Sequence, residues 1–315
     1  MGEFELIRTY FQPLAERSGQ DQLLLGPGDD CAIQRTPPGR DLVFSVDTLV
    51  EGVHFPRHYP PEYLGWRALA VAVSDLAAMG ASPVCYTLAL TLPDASPEWL
   101  HGFSDSLARA SECFGIALAG GDTTRGPLTI TIQVHGTVEA GCGLYRAGAK
   151  ADDLVCVSGP LGAAGAALDY LDAATLSSSQ LAIMSRYHFP QPRLTLGQQM
   201  VGRASAAIDI SDGLLADLGH ILSASGVGAR IEVGKIPVMN ELLELRGPSA
   251  RELALGAGDD YELCLTIPPA IFAALESPTA EGLTVIGTIT SQPGLQLEGA
   301  VTGRVGGYDH FEDSP

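Results

Sequence analysis

Apolar residues recur at helical spacing in the first segment, where Phe4, Ile7, Phe11 and Leu14 predict a helix over residues 3–17. After a glycine-rich loop, DLVFSVDTLV (41–50) predicts a buried strand ending in polar residues. YLGWRALAVAVSDLAAMG (63–80) is apolar almost all round, which predicts a largely buried helix stopped by Gly80. VCYTLALTLP (84–93) predicts a strand closed by Pro93. SPEWLHGFSDSLARASECFG (96–115) is an amphipathic helix with Ser96 as N-cap and Pro97 at its first position. IALAGGDTT predicts a short strand running into a glycine turn, and LTITIQVHGTVE (128–139) a long alternating strand.

The periodicity breaks at RAGAKADD (146–153), which places a domain boundary at about residue 150. The second half restarts with the strand DLVCVSG, a GPLGAAGAAL turn and a helix, then a polar segment over 172–192 and a helix around 193–203. AAIDISDGLLADLGHIL (206–222) reads as strand, turn and helix. ARIEVGKIPV, YELCLTI and LTVIGTIT read as strands, with the helix PAIFAALES between the last two. Both halves mix strands and helices with short connections, so the fold class is α/β (α+β), with mixed sheets covered by helices and domains over 1–150 and 151–315. A faint echo joins them: Gly-Pro-Gly-Asp-Asp at 26–30 and Gly-Ala-Gly-Asp-Asp at 256–260.

Composition narrows the function. The 315 residues are 46 % hydrophobic and 17 % charged, a globular balance. A formal net charge of −19 argues against nucleic acid as a partner, and an anionic substrate would need cations to mediate its binding. The six cysteines (Cys31, Cys85, Cys113, Cys142, Cys156 and Cys264) form no Cys-x-x-Cys pair and read as reduced core thiols. The N-terminus has no signal-peptide core and no apolar run reaches membrane-spanning length, so the expectation is a soluble, cytoplasmic protein with no membrane partner.

The candidate chemistry lies in aspartates. Asp105, Asp169 and Asp217 read as solvated residues of surface helices. Asp30, Asp47, Asp122, Asp209 and Asp212 instead lie at the ends of apolar strands or beside glycines, and Asp75 interrupts an apolar helix. Capping suits Asp209 or Asp212 taken singly, on either side of Ser211 at a helix start. Six carboxylates near predicted core, with Lys150 and Lys235 as the only lysines in the chain, call for cations as a set, and oxygen ligands of this kind suit Mg²⁺. GPGDD, AGGDTT and SGPLGAAG could each bring backbone N–H groups to phosphate oxygens, and none is a lysine-type phosphate loop.

GPGDDCA, SVDTLVEGVHF, AVSDLAAMGA, AGGDTTRG, IDISDGLLADLGHI, GAGDDYELCLT and the terminal GYDHF occur in this order over nearly the whole chain. Together they resemble the thiamine-monophosphate kinases, in the aminoimidazole-ribonucleotide-synthetase-like ATP-binding superfamily. The resemblance implies a homodimer of two-domain subunits, with a dimerising N-terminal domain that binds ATP and Mg²⁺ and a C-terminal domain that completes the nucleotide and substrate site. It implies phosphorylation of thiamine monophosphate by ATP with several Mg²⁺ ions, the last step of thiamine diphosphate biosynthesis. By position, Asp30, Ser45, Val46, Asp47, Asp75, Asp122, Asp209 and Asp212 match its metal sites, with any contact at Val46 coming from its backbone. Gly121, Asp122, Arg146 and Ser211 match its ATP contacts. His54, Asp259 or Asp260, and Tyr308 or the nearby Phe311 match its thiamine-phosphate contacts. Taken alone, His54 reads as a structural hydrogen-bonder and Arg146 as a surface residue whose planar fork also suits a phosphate.

On this reading the acceptor's own phosphate oxygen attacks the γ-phosphorus in line, and the protein supplies no nucleophile and no general base. Two alternatives stay open: another ATP-using enzyme of the superfamily, and a non-catalytic relative that binds Mg-nucleotide.

Overall fold

The computed structural model describes residues 2–17, 21–275 and 282–299. The chain forms two compact units, one running up to Leu76 and resuming over Ala81–Gly143, the other made of Ala77–Gly80 and the residues from Leu144 onward.

In the first unit the N-terminal segment is helical from Glu3 to Arg17, with a π-helical turn at Ile7–Phe11. Strands β1 (Leu23–Leu25) and β2 (Ile33–Gln34) flank the GPGDD loop. Four longer strands, β3 (Arg40–Val50), β4 (Ser82–Leu92), β5 (Ala117–Arg125) and β6 (Thr129–Glu139), form a sheet in the order β3-β6-β4-β5. Only β4 and β5 run parallel, joined by the helix Pro97–Phe114. That helix starts on the Ser96 cap, ends at left-handed Gly115, and buries Leu100, Phe103, Leu107, Ala110 and Phe114. The helix Pro61–Ala78 crosses it closely, since a Cβ on Gly65 would lie 2.4 Å from the Phe103 carbonyl oxygen. From Arg67 to Leu76 every residue of this helix except Asp75 is buried.

Two sequence expectations fail here. β3 is an edge strand and not a buried one, with Leu42, Phe44 and Val46 exposed by 44, 62 and 60 %. Alternating apolar residues record that a face is greasy, not that this chain covers it. The expected glycine turn after Ala119 is instead part of β5, which continues through Gly120 and Gly121 to Arg125. Gly121 makes this possible, because a Cβ there would sit 1.8 Å from the Leu88 carbonyl oxygen on β4.

Among the described residues, the second unit is built on six strands in the order β12-β9-β11-β7-β10-β8. They are β7 (Leu154–Val157), β8 (Ala206–Asp209), β9 (Gly228–Glu232), β10 (Leu263–Ile267), β11 (Thr284–Thr290) and β12 (Gly294–Glu298), and β12–β9 is the one parallel pair. Both sheet faces are covered. Val155, Val157, Ile208, Ile231, Cys264 and Ile286 pack with the helix Leu214–Ser225, whereas Cys156, Ala207, Leu263, Leu265 and Ile267 pack with Leu196 and Met200. The segment read as polar over 172–192 contains a helix, Ser178–His188, started by a reciprocal capping box between Ser177 and Gln180. Helices Asn240–Arg246 and Ala250–Gly256 and the strand β12 had no expectation in the sequence.

The cysteines divide. Cys85, Cys156 and Cys264 are buried, as expected of core thiols, while Cys31 and Cys113 are exposed and Cys142 is half-buried. No helix among the described residues is long and apolar enough to cross a membrane.

Candidate active-site carboxylates

In the first unit, strand alternation puts Ser45 and Asp47 on one face of β3, and the helix Pro61–Ala78 presents Asp75 to them. The Ser45 hydroxyl donates to Asp75 Oδ2. The Asp47 carboxyl is pushed up to about 7, first by burial and then by the negative charge of Asp75. Two carboxylates and a hydroxyl thus share a half-buried place with their charges in opposition. Val46, between them in sequence, faces the other way and is largely exposed.

Strand register separates Asp122 from this group. Asp47 pairs with Ile132 and Ile132 with Leu88, both buried, so this rung lies on the helix-covered face. Asp122 pairs with Ala89, Ala89 with Thr131 and Thr131 with Thr48, a rung on the opposite, exposed face. The hydroxyls of Thr48 and Thr131 hydrogen-bond each other at 2.9 Å on that rung. Asp30 is exposed in the loop between β1 and β2, where its N–H donates to Asp29 Oδ1 at 2.8 Å. Asp29 therefore caps the turn. The Val50 N–H donates to His54 Nδ1 at 3.0 Å, which leaves Nε2 to carry the proton of the neutral ring. Among the described residues no three carboxylate, imidazole or thiol groups converge as a ready metal site.

In the second unit, Asp209 ends β8 and is buried, and Ser211 and Asp212 form the turn into the helix Leu214–Ser225. Asp217, expected to be solvated, is 2 % exposed. Its Oδ2 accepts the N–H groups of Ser211, Asp212 and Gly213 at 3.0, 3.0 and 3.1 Å. Burial and the neighbouring Asp212 push its carboxyl up to about 7, against the pull of those three donors. The solvated reading does fit Asp105, in an exposed pair with His101, and Asp169, whose mostly exposed carboxylate pairs with Arg246.

The GAGDDYE segment follows the helix Ala250–Gly256 and leads into β10. Asp259 and Tyr261 take left-handed backbone angles, φ +68° and +49°, and the Tyr261 hydroxyl donates to Asp259 Oδ1 at 3.0 Å. Asp260 is buried, accepts the Gly162 N–H at 2.8 Å, and is held well above the usual carboxylate range chiefly by burial. Gly162 therefore spends its N–H on Asp260, so the SGPLGAAG turn lacks that donor for a phosphate. Sequence reasoning missed Glu262, which is 1 % exposed. It accepts from Arg186 Nη2 at 2.6 Å, Arg193 Nε at 2.6 Å and the Ser158 hydroxyl at 2.5 Å. Arg146 is exposed, and its carbonyl accepts from the Ser225 hydroxyl at 3.3 Å. Tyr308 and Phe311 lie outside the described residues.

Family models for the AIR synthase related proteins match both halves of the chain, the N-terminal domain over residues 28–138 and the C-terminal domain over 150–299. The chain is 44 % identical to the thiamine-monophosphate kinase of Escherichia coli K12, with 98 % of each chain covered. The solved thiamine-monophosphate kinase from Stenotrophomonas maltophilia superposes with a TM-score of 0.86 at 42 % identity, covering 91 % of this chain and 95 % of that one. A solved structure of AaThiL complexed with AMPPCP and TMP superposes with a TM-score of 0.80 at 32 % identity, covering 98 and 97 %. The chain belongs to the thiamine-monophosphate kinase family, within the AIR synthase related proteins.

Proposed function

We propose that this chain transfers the γ-phosphate of ATP to thiamine monophosphate, giving ADP and thiamine diphosphate, with Mg²⁺ as the resident cation. Family membership supports the reaction, as does the AaThiL complex with AMPPCP and TMP. The observation in the chain itself that carries the reading is the Asp47–Asp75 pair. Two carboxylates are pressed together beside a serine hydroxyl, one held up to about 7 by burial and by its neighbour's charge, a set of oxygen donors of the kind Mg²⁺ accepts.

Ser45, Asp47, Asp75 and the Val46 backbone would hold Mg²⁺ together with Asp30, and Asp122 would serve on the other face of the sheet. Asp209 and Asp212 would hold it in the second unit. When bound, magnesium neutralises phosphate charge that a chain of net charge −19 would otherwise repel. Gly121, Arg146 and Ser211 would contact ATP, with the guanidinium suited to a phosphate. His54 would donate from Nε2 to the acceptor phosphate. Of the two acids in GAGDDYE, Asp259 is the better substrate contact, since Asp260 is buried and committed to Gly162.

The acceptor's phosphate oxygen forms a bond to the γ-phosphorus as the bond to the β-phosphate oxygen breaks and ADP leaves. The nucleophile is already anionic, so no side chain takes a proton. The residues act by position and charge. A homodimer is supported by the exposed Leu42, Phe44 and Val46 on the unpaired edge of β3. A cytoplasmic location is supported by six cysteines that all remain free thiols.

Incubating the protein with ATP, Mg²⁺ and thiamine monophosphate and separating the products by chromatography tests the reading. Thiamine diphosphate is the expected product. ATP binding without transfer would point to a non-catalytic relative, and transfer to another acceptor to a different enzyme of the superfamily.

A further inference from the structure

The turn 211–213 and the segment 258–261 are fastened to each other by their backbones. The Asp259 N–H donates to the Ser211 carbonyl and the Tyr261 N–H to the Ile210 carbonyl, each at 2.8 Å, and the Ile210 N–H donates back to the Glu262 carbonyl at 2.8 Å. These bonds extend the β8–β10 ladder, in which Leu263 pairs with Asp209, past the ends of both strands. The contact has no slack: a Cβ on Gly258 would lie 2.3 Å from the Ser211 carbonyl oxygen, and one on Gly213 would lie 2.7 Å from that of Gly256.

What fixes the pair in space is Asp217. It sits in the first turn of a helix whose Leu214, Leu218, Ile221 and Leu222 are buried, so its carboxylate is mounted on the core. One oxygen collects three consecutive backbone N–H groups, which sets the orientation of the peptides at Ser211, Asp212 and Gly213. The Ser211 peptide in turn sets Asp259.

We propose that Asp217 is a positioning residue for both substrates at once, holding the nucleotide-side turn directly and the acceptor-side segment through the Ser211 carbonyl. The assignment rests on the reading of Ser211 and Asp212 as ATP and metal contacts and of Asp259 as an acceptor contact. The carboxylate works as a hydrogen-bond acceptor of fixed position, and asparagine, which keeps an oxygen there, replaces it.

The test is steady-state kinetics with each substrate varied, beside amide hydrogen exchange of the free protein. In Asp217→Ala the KM values for ATP and for thiamine monophosphate both rise by about tenfold or more, as expected when reacting groups are displaced by a fraction of an ångström to an ångström. Exchange at 211–213 and at 259–261 accelerates together. Asp217→Asn keeps both KM values and both protections close to wild type. Gly258→Ala, which wedges the contact open from the other side, reproduces the double effect and decides the matter if the alanine variant at 217 does not fold. A rise in one KM alone, faster exchange at 211–213 with 259–261 unchanged, or a folded Asp217→Asn as impaired as the alanine variant overturns the proposal. A wild-type protein with no turnover overturns the functional reading instead, and the exchange measurement still decides the anchoring.

Discussion

The Ser45 hydroxyl donates to Oδ2 of Asp75, so an edge strand is tied to a buried helix beside Asp47, whose carboxyl is raised by burial and by the charge of Asp75. Replacing Asp47 or Asp75 by asparagine keeps the shape and removes the charge that a cation requires. Turnover should fall below detection in either variant while the far-ultraviolet circular dichroism stays that of the wild type. Near-normal activity in both would remove these residues from the metal assignment.

Asp47 also gives the protein a pH signature. A carboxyl whose folded value is raised from 3.8 to about 7 favours the folded state while protonated, and that contribution is lost as pH rises from about 4 through about 7. In the presence of a chelator, the melting temperature of the wild type should therefore decline across this interval more than that of Asp47→Asn. The two should converge near pH 4. Adding Mg²⁺ at pH 8 should raise the wild-type melting temperature by more than the variant's, as read by differential scanning fluorimetry.

Glu262, itself buried, holds two partly exposed arginines and a serine hydroxyl. Glu262→Gln leaves both guanidinium groups without their anion, and breaking a buried pair on one side costs about 3–5 kcal/mol. Urea denaturation should show that loss. Arg186→Met, which leaves Arg193 in place, should cost less than Glu262→Gln.

Phe44 stands 62 % exposed on β3, between Leu42 and Val46. If this edge is the subunit interface, Phe44→Glu places a charge in its middle, and sedimentation should show a monomer where the wild type is a dimer. A wild-type-like sedimentation coefficient for the variant would move the interface elsewhere.

The residues that could be read in the sequence are those that break a local pattern. Asp75 stands out because its helix is otherwise apolar, and Ser96, Gly115 and the long strands announce themselves by caps and period. Asp217 does not, because its neighbours Leu-Ala-Asp-Leu-Gly-His look like any surface helix. Only the reversal at Gly213 turns the helix start back onto 211–213. A carboxylate in the first helical turn just after a Ser-Asp-Gly turn was the available clue. Glu262 was beyond reach, since its arginines come from 76 and 69 residues away. The exposure of β3 was equally hidden, for periodicity reports an apolar face without saying what lies against it.

From Arg67 to Leu76 the helix that carries Asp75 is buried at every other position. A helix turns by about 100° per residue, so any rotation that re-aimed the carboxylate would drive packed side chains into their neighbours. Asp75 therefore has a fixed bearing, and adaptation to an ion of another radius is left to the opposite wall. That wall is β3, which carries Ser45 and Asp47 and has a single strand neighbour among the described residues of the chain.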